Sequence, residues 1–278
     1  MAITVNTNMA ALTAQNALNK STTKMNTAME RMTTGYKINS SKDDAAGLAV
    51  STNLEYKVSS LKVAQNNAQM GASLLETTEG VMTTINDNLT RIRDLTEQAA
   101  NGTYGTDALN AINTEISARL SEIDRIAGSA EFNGKKVLDG SIDAGIKLQV
   151  GITGETNSQI TLDAKLFSDS KSETLLGEAF TKFTSDADAR DFLANVDTAI
   201  KNITDRKTQI GGVQAAITSA MESAQVMQTN LTSANSLIKD ADIAEESSNY
   251  IKQQILQQTS ASLLATANQA PSIALNLV

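Results

Sequence analysis

The chain has 278 residues and a formal net charge of −8 at pH 7, which argues against a nucleic-acid partner because such binding needs clustered Lys and Arg. It contains no Cys and no His, and this excludes disulfides, thiol nucleophiles, histidine bases and the usual zinc sites. One Pro, no Trp and 3% aromatic residues favour long helices packed through small and aliphatic side chains, so we expect a mainly α, elongated molecule.

The amino-terminal segment is uncharged, because residues 1–19 contain no charged side chain. It lacks the basic opening and the continuous apolar run of a secretory signal, so we expect no signal of that kind. No window of the chain offers about 18 uninterrupted apolar residues, and we therefore expect no membrane-spanning helix.

A first helix is predicted near the amino terminus, followed by a linker. The four-three-four spacing of a helical seam is found at Met25, Met29, Met32 and Tyr36. The segment GYKINSSKDDAAG at 35–47 combines Gly, Asn, Ser and paired Asp. This composition indicates a linker whose Asp residues lie near the start of the next helix.

The strongest periodic signal follows this linker. Positions recur every seven residues, with companions three residues later, at Leu54, Leu61, Ala68, Leu75, Met82 and Leu89 and at Ala64, Gly71, Thr78, Ile85 and Ile92. The pattern predicts one long helix of coiled-coil type. After the turn NGTYGTD at 101–107, a shorter amphipathic helix that covers the same seam is predicted from Leu109, Ile112, Ile116, Leu120 and Ile123.

The segment IKLQVGITGETNSQITLDA alternates apolar and polar residues on both sides of a Gly-containing turn. It predicts a β-hairpin formed by 146–152 and 159–164, and the preceding FNGKKVL indicates a further turn or strand.

A second long helix is predicted by another seven-residue series, at Val196, Ile203, Ile210, Ile217, Ala224, Leu231 and Ile238. We expect the two long helices to lie together as an antiparallel rod with a core that contains Leu61, Leu75, Leu89, Ile203, Ile210 and Ile217.

The carboxyl-terminal segment repeats the helical rhythm of the first helix. Its seam positions are Leu237, Ala241, Ala244, Ser248, Ile251, Ile255, Gln258, Ser262 and Ala265. Pairing of the two terminal helices would explain both series. The alternative is a fold whose ends merely meet on its surface.

Residues 253–278 contain no charged side chain. Burial of the aliphatic side chains in this segment does not offset the entropy of ordering its backbone, so we expect it to be mobile in a lone monomer and to order among copies of the chain. The alternative is a membrane-active amphipathic segment. Such segments usually carry several Lys or Arg on the polar face, whereas only Lys252 is nearby.

No catalytic constellation is recognisable. The adjacent carboxylates Asp43–Asp44 and Glu245–Glu246 point about 100° apart on a helix, so capping and solvation explain them better than proton transfer or metal binding. The Gly-containing segments TGET and QIGGVQ lack the spacing and Lys of phosphate-binding loops. We expect neither enzymatic activity nor a cofactor.

Five long segments resemble bacterial flagellin, in the order found in that family. They are MAITVNTNMAALTAQNALNK, RMTTGYKINSSKDDAAGLAVS, LTRIRDLTEQAANGT, EISARLSEIDRIAGSAEFNGKKVLDG and DADIAEESSNYIKQQILQQTSASLLATANQ. The resemblance covers nearly the whole chain. About 50 residues separate FNGKKVL from the returning helix near Ala187, so the chain resembles a minimal flagellin without the variable outer domains.

The resemblance implies a secreted structural subunit that self-assembles into the motility filament. Residues 1–44 and 237–278 are then paired helices of the inner tube, and residues 45–236 form the outer tube with the hairpin at about 146–164. Inner-tube assembly is assigned to Met25, Met29, Met32, Ile251, Ile255, Leu263 and Leu264. Heterologous contacts between subunits would continue as a helical filament instead of closing into a ring.

Further partners follow from the same resemblance. They are the flagellar type III export apparatus, an export chaperone that holds the carboxyl-terminal segment, and the hook-junction and filament cap proteins. Arg91, Leu95 and Glu115 match the family's contact with animal Toll-like receptor 5, with Leu95 expected as a partly exposed anchor. The alternative is that Leu95 is ordinary rod packing and that these residues serve filament contacts.

Two other functions compete with the filament subunit. A hook–filament junction protein would share the neutral helical ends without forming long polymers. A non-flagellar coiled-coil structural protein would explain the heptads but not the uncharged ends.

Overall fold

Twelve short and long elements follow one another in a computed structural model that describes residues 7–275, with side chains described for 7–269. The helices are α1 (Met9–Thr34), α2 (Ala45–Ala99), α3 (Thr106–Ser129), α4 (Ser172–Leu176), α5 (Asp186–Lys239) and α6 (Ile243–Leu275). The strands are β1 (Glu131–Phe132), β2 (Lys135–Lys136), β3 (Ile146–Gln149) and β4 (Gln159–Leu162), with 3₁₀ turns at Thr156–Ser158 and Ala164–Phe167. The predicted mainly α fold with a small hairpin and paired terminal helices is confirmed.

The chain forms two compact units. The terminal unit comprises residues 1–58 and 229–278, and the central unit comprises residues 59–228. The division falls within α2 and α5, because each of these helices contributes residues to both units. The predicted filament layers, with boundaries at 44/45 and 236/237, remain a prediction about the assembled state.

In the terminal unit, α1 and α6 pack as an antiparallel pair. Asn8 Nδ2 donates to the carbonyl of Ala267 at 2.7 Å, and Gln257 Nε2 donates to Thr22 Oγ1 at 2.9 Å. Arg31 and Glu246 form an ion pair at 2.9 Å at the other end. Successive residues along α1 therefore contact progressively earlier residues of α6, as expected for antiparallel helices.

The central unit is built on the predicted heptads. The core is formed by one face of each of α2, α3 and α5, including Leu75, Met82, Leu89, Ile116, Ile123, Val196, Ile203, Ile210 and Ile217. Side chains link the two long helices in antiparallel order, from Gln65–Gln225 through Glu79–Gln214 to Arg93–Asp197. The residues that recur every seven positions in α2 and in α5 are thus buried in one shared core.

Two small hairpins follow α3. Asn133 and Gly134, with φ of 49° and 79°, form the two-residue turn between β1 and β2, as expected for an Asn-Gly hairpin. Strand β3 pairs with β4 from Ile146↔Leu162 to Gln149↔Gln159. The strands of the second hairpin are shorter than the predicted 146–152 and 159–164. Residues 150–158, with the 3₁₀ turn Thr156–Ser158, form its loop, and β4 ends at Leu162.

The segment between the second hairpin and α5 is closed by contacts that periodicity does not indicate. Asn113 is buried on α3, donates to the carbonyl of Phe183 and accepts from its N–H, both at 3.0 Å. The rings of Phe180, Phe183 and Phe192 meet edge to face with centroids 5.2–5.5 Å apart. These contacts attach the loop before α5 to the three-helix core.

Candidate assembly surfaces

The seam between α1 and α6 consists mostly of small and polar residues. The inward positions of α1 alternate three and four residues apart, at Ala11, Ala14, Leu18, Ser21, Met25, Ala28 and Met32. Those of α6 do the same at Glu246, Tyr250, Gln253, Gln257, Ser260, Leu264 and Ala267. Small side chains allow the two backbones to approach closely, and two of the polar residues bond across the seam, Gln257 to Thr22 and Glu246 to Arg31.

The sequence pattern predicted the wrong face of α6 as the one that packs against α1. Ser248, Ile251, Ile255 and Gln258 are exposed in the subunit, as are Ser262 and Ala265. On α1, Met25 and Met32 lie on the seam, whereas Met29 is 46% exposed. Aliphatic spacing identified a helical face, but in α6 that face points away from α1.

Large aliphatic side chains therefore remain uncovered in the terminal unit. Ile251 and Ile255 are 52% and 56% exposed, and Leu256 lies beside them. Leu263 is exposed next to Leu264, which is half-buried. Of the seven residues assigned to inner-tube assembly, four are exposed and three lie on the α1–α6 seam.

A second uncovered surface is a groove along one side of the α1–α6 pair, with a volume of about 720 Å³. Met9 and Leu263 are its large side chains, and the remainder is formed by small and hydroxyl side chains, namely Ala10, Thr13, Ala14, Ala17, Ser260, Thr266 and Ala267. No charged residue lines it. Residues 1–6 and the side chains of 270–278 lie outside the described part of the chain.

The two linkers of the terminal unit are joined by backbone hydrogen bonds. The N–H of Lys37 donates to Lys239 O at 2.8 Å, and the N–H of Ala241 donates to Gly35 O at 2.9 Å. Lys239 Nζ lies 2.6 Å from Glu55 Oε1 and 4.6 Å from the centre of the Tyr36 ring. The hydrogen bond from Lys239 lowers the pKa of the Glu55 carboxyl. Gly35, with φ of 77°, ends α1 and starts this bridge.

The paired carboxylates act locally. Asp44 Oδ1 accepts the backbone N–H groups of Ala46 and Gly47 at 3.0 and 2.9 Å and so caps α2. Asp43 accepts from the N–H groups of Ser40 and Asn39, which lowers its pKa. Among the described residues, no group of His, Cys, Asp and Glu could hold a metal ion.

The six predicted core residues Leu61, Leu75, Leu89, Ile203, Ile210 and Ile217 are all buried. Arg91 and Glu115 form an exposed ion pair at 2.9 Å between α2 and α3. Leu95, expected as a partly exposed anchor, is only 2% exposed and belongs to the core. That expectation is wrong because Leu95 packs in the apolar core to which α2, α3 and α5 all contribute.

Sequence reasoning missed a buried arginine. Arg206 on α5 donates to Ser170 Oγ at 3.0 Å and to the carbonyls of Ser168 and Leu166 at 2.7 and 3.2 Å. Burial lowers the pKa of its guanidinium to about 10. Arg206 lies three residues after Ile203 and four before Ile210, on the same buried face of α5. The period-seven series did not reveal its role because that series was traced through apolar residues only.

Within the described residues, no helix is long and apolar enough to cross a bilayer.

Comparison with known proteins gives concordant matches. Residues 5–143 match the family described as bacterial flagellin N-terminal helical region, and residues 193–278 match bacterial flagellin C-terminal helical region. A flagellin of Xenorhabdus nematophila is 37% identical over 100% of both chains, and the flagellar filament 30.7 kDa core protein of Treponema maltophilum is 32% identical over 95% of each. A solved structure of a hook-associated protein from Vibrio parahaemolyticus superposes with a TM-score of 0.59 at 15% identity, covering 70% of this chain and 99% of that one. At that identity it shows the fold alone.

Proposed function

This chain belongs to the bacterial flagellin family, and from that premise we infer how it works as a structural subunit that self-assembles into the flagellar filament. The observation that carries the function is the match of both terminal regions and of whole-length relatives to flagellins and filament core proteins. The hook–filament junction alternative is not favoured, because the likeness to a hook-associated protein is one of fold. A non-flagellar coiled-coil protein is not favoured either. The chain is a short form without outer domains.

We propose that assembly is coupled to ordering of the terminal unit. The exposed aliphatic residues of α6 and the uncharged groove beside α1 are surfaces that water solvates poorly and that a neighbouring subunit can cover. Segments 1–44 and 237–278 would form the inner tube and 45–236 the outer tube. Met25, Met29, Met32, Ile251, Ile255, Leu263 and Leu264 are the residues proposed for inner-tube contacts.

We further propose that the subunit acts outside the cell and has no catalytic role. The resemblance supports export through the flagellar type III apparatus, with a chaperone on the carboxyl-terminal segment. It also supports contacts with the hook-junction and cap proteins at the two ends of the filament. Extracellular action is supported by the relatives, which are flagellins and filament proteins.

Growth from seeds tests the proposed assembly. Purified subunits are added to short filament fragments sheared from cells, and elongation is followed by sedimentation and negative-stain electron microscopy. We expect long tubes from the full chain. We expect none from a chain that lacks 237–278, since it lacks α6 and with it one half of the terminal pair. Normal tubes from the shortened chain would show that this segment is not needed for assembly.

Recognition by animal Toll-like receptor 5 is a second proposal, on Arg91, Leu95 and Glu115. The resemblance supports it, and the exposed pair Arg91–Glu115 is accessible to a charged partner. With Leu95 in the core, its role would be to hold α2 against α3. We expect Arg91→Ala to weaken receptor signalling by monomers more than Arg125→Ala, which removes an even more exposed arginine on α3. An unchanged dose response for Arg91→Ala would remove the recognition proposal.

A further inference from the structure

Two uncovered surfaces of the terminal unit complement one another. The first is the groove between α1 and α6, about 720 Å³ in volume. Between Met9 and Leu263 it is lined by Ala10, Ala14, Ala17 and Ala267 and by the hydroxyl residues Thr13, Ser260 and Thr266. The second is a face of α6 formed by Ser248, Ile251, Lys252, Ile255 and Leu256. One surface is concave and lined with small residues, and the other presents branched aliphatic side chains.

These two surfaces cannot meet within one subunit. Ile255 and the seam residue Gln257 are two positions apart, which is about 200° of helical rotation, so Ile255 points away from α1. Gln257 contacts Thr22, and Ala14 lies eight residues, about 12 Å, further along α1. A contact between the face and the groove therefore requires two chains.

We propose that the groove of one subunit receives the Ile251–Leu256 face of a neighbouring copy of this chain. The inference rests on the proposed function and adds to it the two surfaces that meet. Neither surface contains an acidic residue, and Lys252 is the single charged residue on either. A charged partner would therefore find no complementary charge in the groove, whereas an aliphatic face of the same chain fits its small side chains.

The contact is heterologous, because each subunit uses a different surface toward each of two neighbours. Such a contact leaves one free groove and one free face at the ends of any row of subunits, so addition can continue without closure. Lys252 lies at the edge of the face and can extend its ammonium group toward water while its methylene stem packs. An anionic lipid surface is a poorer occupant, since it would meet only this one cation.

Disulfide cross-linking tests the pairing in the full chain, which has no native Cys. Ala14→Cys is combined in turn with Ile251→Cys, Ile255→Cys and Leu256→Cys. Filaments are grown under reducing conditions, collected, oxidised and separated by non-reducing electrophoresis. We expect at least one pair to give a ladder of dimers, trimers and larger species, because a disulfide requires Cα atoms within about 7 Å. A variant that does not elongate alone is co-assembled with an equal amount of cysteine-free chain, and covalent dimers are then the positive result.

The matched control replaces Ala14→Cys by Gln15→Cys, which lies at the same height on α1 but outside the groove. We expect it to leave each partner cysteine monomeric, as should every single-cysteine variant. Filaments in which all three Ala14 pairs remain monomeric, or in which the Gln15 pairs cross-link as strongly, would overturn the pairing while the filament function stands. Failure of the cysteine-free chain itself to elongate on seeds would instead refute the proposed assembly.

Discussion

Single polar side chains hold the irregular segment of the central unit in place. Arg206 binds two backbone carbonyls and one hydroxyl of the segment 166–170, and Asn113 binds both backbone groups of Phe183. When a buried carbonyl loses its hydrogen-bond donor, water cannot reach it to take the donor's place. Each such contact is therefore costly to break. The loops between the second hairpin and α5 thus depend on a few named side chains.

Removal of the Arg206 guanidinium should destabilise the subunit. Arg206→Leu leaves the carbonyls of Leu166 and Ser168 buried without this donor, and we expect the free energy of unfolding to fall by about 2–4 kcal/mol. Urea denaturation followed by circular dichroism measures the change. Arg125→Leu removes an arginine whose side chain is 65% exposed and should cost less than about 1 kcal/mol. Equal losses for both variants would contradict the assigned role of Arg206.

Asp188 titrates far below an ordinary aspartate. The Thr184 hydroxyl, followed by the N–H groups of Thr184 and Ser185, donates to its carboxylate and lowers its pKa to about 2. Because the folded pKa is depressed, the stabilising contribution is present above the unfolded pKa near 3.8 and is lost as the pH falls through about 2.

The hydroxyl is the largest contributor to this depression, so Thr184→Val should raise the pKa of Asp188 toward 3.8. Ser185→Ala should raise it less, since the Ser185 hydroxyl contributes least. A pH titration of the carboxyl carbon by NMR reports the midpoint directly. If Thr184→Val leaves the midpoint near 2, the hydroxyl is not the cause.

At the scale of elements, a glycine in α2 allows the second hairpin to pack closely against that helix. Gly71 is buried in the middle of α2, and a methyl group there would overlap the side chain of Leu148 on β3. Gly80, nine residues later on the same helix, has nothing within 4 Å of such a methyl group. Glycine is unfavourable in a helix by up to about 1 kcal/mol relative to Ala. Close approach of β3 therefore explains Gly71 but not Gly80.

A double-mutant cycle separates the two effects at Gly71. Gly71→Ala alone should destabilise the subunit by about 1 kcal/mol, because Leu148 must move. In a Leu148→Ala background the same change should stabilise by about 0.5–1 kcal/mol through helix propensity. Gly80→Ala serves as the control and should stabilise in both backgrounds. Absence of coupling between Gly71 and Leu148 in urea denaturation would contradict this packing.

Also at the element scale, the seam of α6 illustrates what periodicity leaves open. Both the stripe with Ile251 and Ile255 and the stripe with Gln257 and Ser260 have helical spacing. Hydrophobicity favours the first as the contact with α1, yet the structure uses the second. Since subunits polymerise, the more apolar stripe is better explained as a surface reserved for neighbouring copies.

At the scale of the molecule, the two compact units differ in how their helices are covered. In the central unit, α3 buries Ile112, Ile116, Leu120 and Ile123 against α2 and α5. In the terminal unit, α1 buries only Ser21 and Ala28 among its described residues. Local opening costs less where few apolar contacts are lost.

Hydrogen exchange on lone subunits should reflect this contrast. We expect amides of α1 and α6 to exchange faster than those of α3, and to become protected when the same subunits are assembled into filaments. Mass spectrometry of peptides from both states measures the difference. Strong protection of α1 and α6 in the lone subunit would show that the terminal unit is stable without neighbours.

The sequence by itself determined the helical class, the two long heptad helices, the hairpin near 146–164, the linker with its capping Asp44 and the uncharged terminal segments. Each of these follows from spacing or composition within a short stretch of chain, where local physics decides the outcome. The likeness to flagellins, spread over long collinear segments, could also be read without coordinates.

Only the tertiary structure decided which face of α6 meets α1, that Leu95 is buried in the core, and that Arg206 and Asn113 bind backbone groups far away in sequence. The physical reason is that periodicity defines faces but not their partners. Which face is buried depends on residues brought together by folding, here separated by 259 positions for Asn8 and Ala267. When a helix carries two stripes of residues with helical spacing, packing against the rest of the fold decides which stripe is buried.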